Sequence, residues 1–139
     1  MPAVNFFSED ISFKPQHPRK ITAWIKACIL EEKKPLGQLN YIFCSDKYLL
    51  QMNQDYLNHN TLTDVITFAH EDADKISGDI FISIERVEEN AKKFNVLFND
   101  ELHRVMIHGV LHLVGYKDKT SAAKAEMQKK EDAYLSLRL

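Results

Sequence analysis

The chain has 139 residues, with 18 Lys and Arg against 20 Asp and Glu, a net charge of −2 and a pI near 6.3. That balance excludes a protein that coats nucleic acid through bulk positive charge, while leaving room for a local phosphate contact. A 45% hydrophobic content supports one self-sufficient core, so the whole chain, 1–139, is expected to be a single domain. Cys28 and Cys44 each sit in an apolar periodic segment and form no C-x-x-C pair, which reads as two core thiols in a reducing compartment. The first residues carry acids early and lack an apolar h-region, and no run approaches the ~18 apolar residues of a membrane span. A cytoplasmic protein without membrane contact is expected.

Residues 4–7 read as a short strand, followed by a polar break and a second apolar piece at 11–13. Pro18 suits a first helical turn, and Ile21, Trp24, Ile25, Cys28 and Ile29 recur at helical spacing as a core stripe. Pro35 and Gly37 are expected to end that element. Leu39, Tyr41 and Phe43 alternate with polar residues, as in a strand. Ser45 or Asp46 then caps a helix running to about Leu57. A loop at 58–61 precedes a β-rich run at 63–70, a turn rich in acids, and a strand at 77–84. A polar helix follows to about Asn95. Asn99 or Asp100 is expected to cap the next helix, which reaches about Val114 and is apolar enough to be central and buried. Ser121 opens a last helix with Met127, Tyr134 and Leu135 on its apolar side. These elements sum to an α+β domain with a mixed sheet of about four strands packed by helices.

The chemistry concentrates in His108-Gly109-Val110-Leu111-His112-Leu113-Val114-Gly115-Tyr116-Lys117-Asp118. On a helix, side chains four apart point within ~40° of each other, so both imidazoles reach one cation. Gly115 can end the helix and reverse the chain, which brings Asp118 back as a third ligand. Two nitrogens and one oxygen suit zinc with a fourth position open, the pattern of a catalytic centre. Metzincin peptidases use similar spacing, but their catalytic glutamate follows the first histidine, where this chain has Gly109. His103 falls ~140° away from His108 and is expected to serve packing or solvent contact. Arg104, one turn before His108, is a candidate phosphate contact or the partner of an acid such as Glu101. His59 and His70 flank the β-rich run as loop residues that could reach a cleft rim.

The histidine segment resembles the signature of the YbeY family of bacterial endoribonucleases. Thr63-Asp64-Val65-Ile66-Thr67-Phe68 is similar to that family's T-D-V-[LI]-[ST]-F strand, and Gly78-Asp79-Ile80 to its G-D-I strand. Asn90-Ala91, Glu101-Leu102, Met127 and Glu131 fall in the family's order. The resemblance implies a cytoplasmic enzyme with one Zn2+ per chain that cuts single-stranded RNA, not DNA. Its implied targets are ribosomal RNA precursors and defective ribosomes, with the ribosome or its small subunit as partner. Two positions depart from the family pattern. Family members end the signature with a histidine ligand where this chain has Asp118, and carry an arginine where it has Leu57. Lys117 is the first candidate to replace that arginine at the phosphate, with Arg104 second. Lys119, Lys124, Lys129 and Lys130 offer further positive charge.

Three rival readings stay open at this level. A metallopeptidase shares the ligand spacing, and a non-haem iron oxygenase also uses two histidines and a carboxylate. A non-enzymatic ribosome-associated protein with a structural metal would need a fourth protein ligand, for which Asp72 and His70 are the first residues to inspect.

Overall fold

A computed structural model of the chain describes residues 2–72 and 74–138. Its elements run β1 (Ala3–Ser8), α1 (Pro18–Glu31), β2 (Leu36–Cys44), α2 (Asp46–Leu57), β3 (Val65–Ala69), β4 (Ile76–Ser83), α3 (Ile84–Phe94), α4 (Phe98–Val114) and α5 (Ser121–Leu135). The four-stranded sheet has the order β1-β2-β4-β3. β1, β2 and β4 are parallel, and β3 closes the edge antiparallel to β4. One row across the sheet reads Phe6, Tyr41, Ile80 and Thr67. The α+β class and mixed sheet expected from the sequence are what the structure has.

Strand alternation sorts the apolar side chains onto two faces. Leu39, Tyr41 and Phe43 of β2 and Ile80 and Ile82 of β4 join the main core with α1, α4 and α5. Cys44, Ile66, Phe68 and Phe81 point the other way and pack with Leu49 and Met52 of α2. Helix α4 is the buried centrepiece, contributing Leu102, Val105, Met106, Ile107, Val110 and Leu111 to the main core. The end of α4 is tied down by a polar clamp. The hydroxyls of Tyr116 (2.9 Å) and Tyr134 and the ammonium of Lys130 (3.2 Å) all donate to the Glu32 carboxylate. Burial works against that charge, but the three donors outweigh it and hold the Glu32 carboxyl below its ordinary pKa. Tyr116 is thereby fixed two residues before Asp118.

The apolar piece at 11–13 packs Ile11 and Phe13 on the core, and the Ser8 hydroxyl donates to the Phe13 carbonyl. Several local expectations change. Gly37 lies inside β2, next to an irregularity between Leu36 and Leu39, and does not end α1. The fourth strand begins at Ile76 and stops at Ser83, whose hydroxyl caps α3 by accepting from the Arg86 N–H. Leu97, without a side-chain cap, precedes α4, so Asn99 and Asp100 stand inside its first turn. Asp100 and Glu101 still place negative charge near the positive end of the helix. Ser45 caps α2 as expected, accepting from the Tyr48 N–H.

Candidate metal centre

His108 and His112 lie on the last turns of α4, on the face turned toward α5 and the 58–65 segment. Gly115 ends the helix with φ of 126°, a conformation that side chains with a Cβ rarely adopt. The Gly115 and Tyr116 N–H groups both donate back to the Leu111 carbonyl, at 3.1 and 3.0 Å, and the chain reverses. Asp118 returns over the imidazoles. Its Oδ2 lies 3.3 Å from His112 Nε2 and 3.5 Å from His108 Nε2, and the two Nε2 atoms are 2.9 Å apart. A tetrahedral cation with bonds of about 2.0–2.1 Å separates its donors by about 3.3 Å, so the trio is already near ligand spacing.

The outer nitrogens decide how the inner ones are used. His112 Nδ1 donates to the Tyr116 carbonyl at 3.2 Å, and a carbonyl can only accept. His108 Nδ1 donates to Oε2 of Glu131 at 2.6 Å. Both inner nitrogens then present bare lone pairs to each other and to a carboxylate oxygen. Such a group repels itself unless a proton or a cation sits among its members, and this donor set fits zinc. Burial disfavours charge on His108, but the Glu131 hydrogen bond and the charges of Glu131, Asp64 and Asp118 outweigh it and raise its pKa. Burial and the neighbouring His108 charge lower that of His112. Among the described residues no fourth His, Cys, Asp or Glu joins the three. His70, one of the residues inspected for that role, instead contacts Asp79 at 3.1 Å.

Two cavities meet at the trio. One, of about 350 Å³, is walled by Asp64, Glu101, Arg104, Lys124 and Glu131. The other, of about 420 Å³, is lined by Asn53, Leu57, His59, Thr61 and Thr63. His108 and Asp118 border both. His59 therefore does reach the cleft rim. Arg104 stands at the wall, but its guanidinium is engaged by Glu131 at 2.9 Å and Asp132 at 2.7 Å, not by Glu101. Lys117 opens on a separate cavity with Glu32, Lys34 and Glu126. Lys124 borders the trio's own cavity, is exposed, and makes no ion pair among the described residues. His103 packs against Trp24, with ring centres 5.6 Å apart, and Arg138 donates to its Nδ1.

Gly109 explains the missing peptidase glutamate physically. A Cβ there would lie 2.9 Å from both Cδ1 and Cγ2 of Ile80, so any side chain at this position must displace that isoleucine. Sequence reasoning missed the role of Glu131, which is separated from His108 by 23 positions and by a reversal of the chain. One signal was present: Met127, Glu131 and Tyr134 share helical spacing, so a carboxylate interrupts the apolar stripe of α5.

The family model described as "Endoribonuclease YbeY" matches residues 3–137. The chain belongs to the YbeY family. Its relatives of that same name include one from Flavobacterium psychrophilum, 54% identical with 94% of each chain covered. Another, from Cytophaga hutchinsonii, is 52% identical, covering 97% of this chain and 95% of its own. Among solved structures, the solution structure of TM1509 from Thermotoga maritima aligns with a TM-score of 0.65 at 28% identity, covering 96% of this chain and 87% of the other. YbeY membership gives the metal-like trio an enzymatic setting. Among the described residues no helix is long and apolar enough to cross a membrane.

Proposed function

We propose that this YbeY protein is a zinc-dependent endoribonuclease that cuts single-stranded RNA, acting in the cytoplasm on ribosomal RNA precursors and in ribosome quality control. The observation that carries this reading is the convergence of His108, His112 and Asp118 donor atoms within 4.8 Å at the junction of two open cavities. These three residues would hold one zinc ion per chain. Zinc bound there supplies Lewis acidity, polarising a phosphoryl oxygen and lowering the pKa of water. Asp118 adds a negative charge that a third imidazole would not, which moderates that acidity. A small cleft of this kind suits a single flexible strand better than a wide, stiff duplex. Lys124 is placed to meet a phosphate on one side, and the hydroxyls of Thr61 and Thr63 offer polar contacts on the other. Lys117 remains a phosphate contact for a strand that continues past Gly115, and Arg104 supports the site from its wall.

The rival reading, a ribosome-associated protein with a structural metal, calls for a fourth protein ligand that the described residues do not provide. The test pairs elemental analysis with cleavage of a single-stranded RNA, comparing wild type with His112→Ala. Loss of both zinc and cleavage is expected; undiminished zinc in the variant would refute the site.

A further inference from the structure

Glu131 is 4% exposed and lies on α5, yet its two oxygens serve two different residues of α4. Oε2 accepts from His108 Nδ1 at 2.6 Å, and Oε1 accepts from Arg104 at 2.9 Å. Arg104 is in turn anchored by Asp132 at 2.7 Å. A carboxylate buried this deeply is costly unless it is paired and hydrogen-bonded. Both oxygens are therefore occupied, and the carboxylate has no freedom to rotate away. The outer nitrogen of His112 instead meets a main-chain carbonyl at 3.2 Å, a longer and neutral bond. The two imidazoles are thus held unequally, and only the His108 support can be altered by changing a side chain.

We propose that Glu131 is a positioning residue of the metal centre and that Arg104 acts through it: the chain Asp132, Arg104, Glu131, His108 fixes the proton on Nδ1 and aims the Nε2 lone pair at the cation. This inference rests on the reading of His108, His112 and Asp118 as ligands. It gives Arg104 a task other than meeting phosphate, because both terminal nitrogens of its guanidinium are already committed. Loss of such outer partners typically lowers metal affinity about 10–100-fold.

The test measures the Zn2+ dissociation constant of the full chain by competition with a chromophoric chelator, alongside the melting temperature of the zinc-free protein. E131Q keeps the size and one acceptor oxygen of the side chain but removes its charge. It is expected to weaken zinc binding about 10–100-fold. R104M is expected to weaken it by a smaller factor, and E131Q/R104M no further than E131Q alone, because the two residues act in series. K92A, on the exposed face of α3 and outside both cavities, should bind zinc like wild type. A folded E131Q with wild-type zinc affinity overturns the proposal, as does full additivity of the two changes. A variant that lowers only the zinc-free melting temperature would make Glu131 a packing residue and also overturns it. If E131Q does not fold, folded R104M decides the matter: unchanged zinc affinity there refutes the relay. Failure of the underlying reading looks different, since either wild type would then bind no zinc or H112A would retain it.

Discussion

Charge at single residues decides what this cleft can hold. Asp118 brings one negative charge to the trio, and Glu131, Asp64 and Glu101 surround one of the two cavities with more. A polyanionic strand entering that side meets repulsion unless cations intervene. The proposed zinc would be one, and Lys124 is another that borders the cavity without a carboxylate partner among the described residues. Lys124→Ala is therefore expected to weaken binding of a single-stranded RNA. It should reduce the dependence of log K on log salt by about one contact, while leaving zinc content unchanged. Fluorescence anisotropy at several salt concentrations measures this, with Lys117→Ala in parallel. A reduced slope in Lys117→Ala alone would move the phosphate contact to the separate cavity that Lys117 lines. Leu57, 45% exposed and bordering the polar cavity, contributes no charge there, so the remaining cations matter more.

Helix α4 shows how packing and chemistry constrain one another. His108 and His112 are held in place by packing on a flanking face, where Gly109, about 80° round the helix from their mean direction, lets α4 settle onto Ile80 of β4. Gly109→Ala would improve helix propensity by about 1 kcal/mol, but the new methyl must displace a fully buried isoleucine. Overpacking of this kind costs about 1–3 kcal/mol. A net loss of stability is expected in denaturant unfolding, with zinc affinity falling as the helix is pushed from the sheet. A Gly109→Ala protein as stable as wild type would show that the contact yields easily. The histidine helix was legible because its signals are local: four-residue spacing, a stopping glycine, an acid just beyond it. The support from α5 was not, because sequence spacing says nothing about which side chain meets His108 across a helix pair. The cap of α4 was misplaced for a related reason. Asn99 and Asp100 are good capping types, but burial of Phe98 and Leu102 against the core sets where the helix begins.

At the scale of the whole molecule, the strands were readable from alternation in 39–43 and from the β-rich runs at 63–70 and 77–84, whereas strand order and the direction of β3 depend on long-range pairing that no local pattern encodes. The same long-range packing creates a pH response that the sequence does not announce. Glu101 sits in the first turn of α4, where the helix dipole favours a carboxylate, yet it is only 6% exposed. Burial first, and then the charge of Asp64, push its pKa up to about 6 from an ordinary 4.5. The folded protein thus holds a proton that the unfolded chain releases earlier. Below about pH 4.5 both states are protonated and Glu101 costs nothing. As pH rises toward 6 the unfolded state ionises first, so stability falls by about 2 kcal/mol in all and then levels off. Glu101→Gln keeps the shape and removes the titration. Its zinc-free form should match wild type near pH 4 and exceed it by up to about 2 kcal/mol near pH 7. Urea unfolding of the two proteins across this range reads the difference directly. Two stability curves that stay parallel from acid to neutral pH would mean that the buried carboxyl carries its charge without penalty, through stronger compensation by Arg104 and the helix terminus.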